Sequence, residues 1–189
     1  DRYRRQRQMC IRDSISSAPE SEKLAKLADS DNEVSIIPSF TGLGAPYWKP
    51  DLKAAIHGLS LETSREDIGL ASLEAIAFQT RDLLEALKND GAEIKSIKID
   101  GGMANNNFFS QILSDVLSID IYKPNNIEST SLGAAYLAGI GADHVKLSEL
   151  ADIWKADKLF KTKKSYDSKY TRYLDRVNSC LLYTSDAAD

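Results

Sequence analysis

Between two runs of opposite periodicity the chain passes through Gly101-Gly102, and this junction constrains the fold more than any other feature. Ahead of it, residues 96–100 alternate Ile97 and Ile99 with polar residues, the period of a half-buried strand. Behind it, Phe108, Phe109, Ile112, Leu113, Val116 and Leu117 recur at three- and four-residue steps, the period of a helix with one apolar face. A strand handed through two glycines into a helix presents backbone N–H groups with no side chain in front of them, so a ligand can approach closely. Asn106, about one helical turn further on, carries an amide that can both donate and accept hydrogen bonds, as a purine edge requires. A plain tight connection followed by an Asn cap has the same appearance, so this geometry alone leaves both readings open.

The flanking sequence repeats the alternation of strand and helix. Residues 34–40 read as a short or edge strand because Pro38 interrupts them, and residues 54–59 as the next strand. Between them, Gly42, Gly44, Pro46 and Pro50 forbid a regular element, while Tyr47 and Trp48 call for packing, most simply at a domain seam. Thr63 and Glu66 have capping-box spacing and predict a helix in which Ile68, Leu73, Ile76, Leu83 and Leu87 recur until Gly91. A strand over 119–122 stops at Pro124. Ser129 or Ser131 is then expected to cap a helix of small residues over 132–142, whose composition permits close helix packing. A leader helix around Glu22 to Ala28 and weaker helical stretches at 150–154 and 166–177 complete an α/β pattern with helices packed on a sheet.

Residues 1–14 hold five of the nine arginines and residues 179–189 have no counterpart in the pattern, so both ends are read as non-native tails resembling translated adapter sequence. The domain is then 15–178. Without the tails the net charge moves from −4 to −5, which removes the arginine-rich arm as an argument for nucleic-acid binding. Both cysteines fall in the tails, so neither a disulfide nor a metal pair is argued from them. Apolar residues at 42% and charged residues at 28% exclude a disordered or disulfide-scaffold class. No apolar run has bilayer length, and a cytoplasmic location without membrane contact is expected. His57 and His144 are too isolated to argue a metal site, and Glu74, Gln79 and Arg81 are expected to be a solvated helix face unless they line a cleft.

Ile99-Asp100-Gly101-Gly102 with Asn106 resembles the adenosine motif of the sugar-kinase branch of the actin-like ATPases. Ala54-Ala55-Ile56-His57-Gly58-Leu59, with Asp67-Ile68 and Ala71-Ser72-Leu73-Glu74 after it, resembles the C-terminal signature of the FGGY carbohydrate kinases. Within that family, the loop from Phe40 to Trp48 and the segment from Glu128 to Gly139 are similar to the members that phosphorylate glycerol. The resemblance implies an actin-like, ribonuclease H-like C-terminal domain of α/β class with helices on a central mixed sheet. It implies ATP-dependent transfer of a phosphoryl group to glycerol, giving glycerol 3-phosphate, with ATP and Mg²⁺ as cofactors. Gly102 and Asn106 would contact the nucleotide and Gly101 would give backbone clearance. The general base, the glycerol site and the metal site are expected upstream of residue 1, so no catalytic or metal-binding residue is assigned here and the chain alone is expected to be inactive. Partners implied are ATP or ADP, glycerol through the upstream part, and further copies of the complete enzyme. Two alternatives stand beside this reading: an FGGY kinase acting on another sugar or polyol, and a non-catalytic actin-like nucleotide-binding module.

Overall fold

The structure, a computed structural model, describes residues 18–125, 128–150 and 155–186. The expected N-terminal tail, the start of the leader at Ile15 and most of the helical stretch at 150–154 lie outside these residues. The elements in chain order are α1 (Ala18–Ala25), β1 (Ser35–Ile37), β2 (Ala55–His57), α2 (Arg65–Asn89), β3 (Ser96–Lys98), a 3₁₀ turn (Gly102–Asn105), α3 (Asn107–Leu117), β4 (Asp120–Pro124), α4 (Ser129–Gly141), α5 (Leu147–Leu150), β5 (Ala156–Phe160) and α6 (Asp167–Asp186). The mixed α/β architecture expected from the sequence is the one observed, with two sheets among the described residues. β1 and β2 form an antiparallel pair, whereas β3, β4 and β5 form a mixed sheet in the order 3-4-5, parallel on one side of β4 and antiparallel on the other.

α2 packs against α1, α3 and β1, and its buried stripe includes Leu70, Leu73, Ala77, Phe78 and Leu84. Burial of each large apolar side chain there is worth about 1.5–3 kcal/mol. The stripe is not the one expected, because Ile76, Leu83 and Leu87 remain 41–43% exposed on another face. The cap is also displaced by one residue. Ser64, not Thr63, starts the helix: its Oγ accepts from the Asp67 N–H at 3.2 Å while Asp67 accepts from the Ser64 N–H at 2.9 Å. Thr63 is engaged one turn earlier, where its Oγ1 accepts from the Ser60 N–H at 2.8 Å.

β5 was not expected, since four of its five residues are exposed and only Phe160 reaches the core. Pairing with β4 holds it in place. α4 starts at Ser129 with no side-chain cap, so neither expected serine caps it. None of its described residues is buried, and of the close packing anticipated for its small residues only the approach of Val145 to Gly139 is seen among the described residues. α6 runs on to Asp186, past the expected end at Val177, and brings Cys180 Sγ to 3.6 Å from His57 Nε2.

Candidate functional site

At the end of β3 the chain is held by the Ile99 N–H donating to the Tyr122 carbonyl at 3.0 Å, and Gly101 then turns it with φ of 76°. Only glycine adopts this left-handed conformation without strain, and a Cβ at Gly101 or Gly102 would meet no heavy atom within 4 Å. The turn is therefore open, as anticipated. It does not lead directly into the helix: residues 102–105 form a 3₁₀ turn, closed by the Ala104 N–H to the Gly101 carbonyl at 3.0 Å and the Asn106 N–H to the Met103 carbonyl at 3.1 Å. α3 starts only at Asn107, with Asn106 as its N-cap.

Asn106 is 9% exposed, and its two amide atoms have different fates. Oδ1 accepts from the Phe109 N–H at 2.8 Å, satisfying one of the donors that a helix start leaves free. The opposite amide orientation would set N–H against N–H, so the cap fixes which atom is oxygen. The Asn106 carbonyl accepts from both the N–H and the Oγ of Ser110 at 3.0 Å, locking the residue in place. Nδ2 is shielded from solvent and has no hydrogen-bond partner. The sequence reading of a cap and that of a ligand contact are thus both compatible with one residue. The oxygen caps, and only the nitrogen remains to donate. A shielded N–H without a partner costs about 1–3 kcal/mol, so an acceptor brought to it would be bound favourably. Met103, 43% exposed on the same turn, adds an apolar surface beside it.

Of the other polar residues singled out in the sequence, Glu74 is buried and Gln79 and Arg81 are half-buried, so the face they share is not simply solvated. Glu74 is 2% exposed and accepts from Lys169 Nζ at 2.8 Å. Burial raises its pKa, with Lys169 opposing. Arg81 bonds Asp167 at 2.8 Å and stacks on the Tyr170 ring at 4.2 Å. Asp82, which sequence reasoning missed, receives the hydroxyls of Tyr170 at 2.7 Å and Tyr173 at 3.3 Å, and Tyr47 lies close beside it. Burial pushes its pKa up despite those donors. Tyr47 is thereby the anchor of its loop, which closes on itself through two hydrogen bonds between Leu43 and Lys49. Trp48 faces outward at 74% exposure, so of the two expected anchors only Tyr47 packs within the described residues. No group of three or more His, Cys, Asp and Glu side chains among the described residues could hold a metal ion.

The mixed sheet, the glycine turn and the capped helix define an α/β domain of the actin-like ATPase class. Residues 3–142 match the C-terminal domain of the FGGY family of carbohydrate kinases, and the chain belongs to that family. It is 44% identical over 147 residues to a glycerol kinase of Coxiella burnetii, an alignment covering 77% of this chain and 29% of that protein. A glycerol kinase of Alteromonas mediterranea is 43% identical over 167 residues, 86% of this chain and 34% of the relative. Among solved structures, Plasmodium falciparum glycerol kinase with ADP superposes with a TM-score of 0.76 at 31% identity, over 94% of this chain and 36% of that one. A xylulose kinase from Rhodospirillum rubrum shares the fold, with a TM-score of 0.72 at 21% identity over 87% and 34%. The chain spans about a third of the length of these relatives.

Proposed function

We propose that this chain supplies the adenine-nucleotide half-site of an ATP-dependent glycerol kinase. The observation that carries it is the Asn106 amide: a shielded Nδ2 without a partner, fixed by its own cap, beside a glycine turn with no side chain in front of it. In this reading Nδ2 donates to a ring nitrogen of the adenine, Gly101 and Gly102 let the nucleoside approach the backbone, and Met103 contacts the base. The residues present fit adenosine, and nothing in them acts on a phosphoryl group. Transfer to the glycerol hydroxyl, the general base and the magnesium ion are assigned to the rest of a longer kinase. Positioning of the two substrates dominates catalysis of this type, so holding adenosine still is this domain's contribution.

The exposed apolar side chains Trp48, Ile76, Leu83 and Leu137 support a longer polypeptide packing here, since isolated domains seldom leave so many uncovered. A cytoplasmic enzyme that assembles with further copies of itself remains part of the proposal. No helix among the described residues is long and apolar enough to cross a membrane. The test is a chimera joining the upstream two-thirds of the Alteromonas mediterranea glycerol kinase to this chain. Glycerol-dependent ATP consumption by the chimera, with an ATP Michaelis constant that rises in Asn106→Ala while that for glycerol hardly changes, supports the reading, and a folded chimera that consumes no ATP with glycerol, or whose ATP Michaelis constant is unchanged in Asn106→Ala, contradicts it.

A further inference from the structure

A cavity of about 440 Å³ lies between α1, the first turns of α3, β5 and the segment that follows β5. Its charge is opposite to that of the chain, which carries a net −4. Residues 155–172 hold seven Lys and Arg against two Asp, and from this stretch Lys158, Lys161 and Lys163 line the cavity together with Lys26 of α1. Lys26 is neutralised by Glu22 at 2.6 Å. The other three make no ion pair with a carboxylate among the described residues, and Lys158 sits 5.0 Å above the Phe160 ring, a contact that leaves its charge in place.

The segment that carries two of these lysines is held from below. Asp115, 2% exposed, accepts from the Lys163 backbone N–H at 2.7 Å and from Gln111 Nε2 at 2.9 Å. Gln111 also donates to the Lys161 carbonyl at 2.8 Å, and Thr162 Oγ1 donates to the Ser114 carbonyl at 3.1 Å. The Asp115 carboxylate is thus spent on backbone and amide groups, and together with Gln111 it fixes where Lys161 and Lys163 leave the chain. Asn107, in the first turn of α3, borders the cavity with a shielded side-chain oxygen that has no partner. Turning that amide over would present an N–H to an anion, at a helix start that itself favours negative charge.

We propose that this cavity binds a small anion bearing two or more phosphate groups, held by Lys158, Lys161 and Lys163. Ammonium groups bind phosphate as point charges. Three of them around a concave, partly apolar wall focus the field more than the same charges scattered over a surface would. The site does not depend on the nucleotide reading, because it shares no residue with Gly101, Gly102 or Asn106.

Titration of the 189-residue chain with inorganic tripolyphosphate at low ionic strength, followed by calorimetry, tests it. Saturable binding that weakens with added salt is expected. The double variant Lys161→Gln/Lys163→Gln should weaken it about tenfold, with Lys53→Gln, remote from the cavity, unchanged. Both lysines are exposed, so the double variant keeps its thermal transition, and Lys158→Gln is a second variant that should act in the same direction. Adenosine binding should be equal in all of them. Absence of saturable tripolyphosphate binding, an unchanged affinity in the double variant, or an equal loss in Lys53→Gln overturns the proposal. Loss of adenosine binding alone counts only against the nucleotide half-site.

Discussion

Replacing Asn106 separates its two duties, because different substitutions remove different atoms. Asn106→Ala deletes both the capping oxygen and the free nitrogen, while Asn106→Ser keeps an oxygen within reach of the Phe109 N–H and deletes only the donor. Loss of an N-cap costs about 1 kcal/mol, and serine caps as well as asparagine. Ala should therefore lower unfolding free energy by about 1 kcal/mol and Ser by no more than a few tenths. A hydrogen bond to a ligand from a shielded amide is worth about 1–2 kcal/mol, so both variants should bind ADP about 5- to 30-fold more weakly. Urea unfolding gives the first quantity and calorimetric titration with ADP the second. If Ser binds ADP like the parent chain, Nδ2 is not the contact. If Ser and Ala are equally unstable, the observed cap does not carry the helix start.

Further outcomes follow from the buried polar cluster and from the domain's limits. Asp82→Ala strands the Tyr170 and Tyr173 hydroxyls and should cost about 2–4 kcal/mol in urea unfolding, against about 1 kcal/mol for Tyr170→Phe. Glu74 and Asp82 both have raised folded-state pKa values, so the folded chain holds more protons than the unfolded one just above the ordinary carboxylate range, near pH 4. Their contribution to stability is present below that range and falls as pH rises through the raised values. Thermal unfolding against pH should lose this component in Glu74→Gln/Asp82→Asn, and an unchanged profile would contradict it. Gly58→Ala drives a Cβ into the Glu33 carbonyl oxygen at a φ of 75°, and should cost about 1–3 kcal/mol in the same urea assay. The chain alone should show no glycerol-dependent ATP consumption above a no-enzyme control.

What the sequence made legible was local. The apolar steps from Phe108 to Leu117 gave α3 because almost all of its apolar residues face one core, and Gly101 was recognisable because the backbone needs glycine there. β5 was hidden since its register is set by pairing with β4, with Phe160 alone showing a buried side. The α2 stripe was misjudged because Ile76, Leu83 and Leu87 keep helical spacing on a face that the described residues do not cover. Within the site, Asn106 was visible as a residue type, but the division of its amide between cap and free donor depends on the Phe109 backbone in three dimensions. Asp82 could not be found from sequence, since Tyr170 and Tyr173 stand 88 and 91 residues away from it along the chain.

The central claim is that adenosine binds at the glycine turn and the Asn106 side chain. Nuclear magnetic resonance of the ¹⁵N-labelled chain titrated with adenosine reads those groups directly. The account predicts that the largest shifts fall on the backbone N–H groups of Gly101, Gly102 and Met103 and on the side-chain Nδ2 of Asn106, and that in Asn106→Ser the backbone shifts need about 5- to 30-fold more adenosine. Saturable shifts centred on any other part of the chain, or none at these groups, would contradict it.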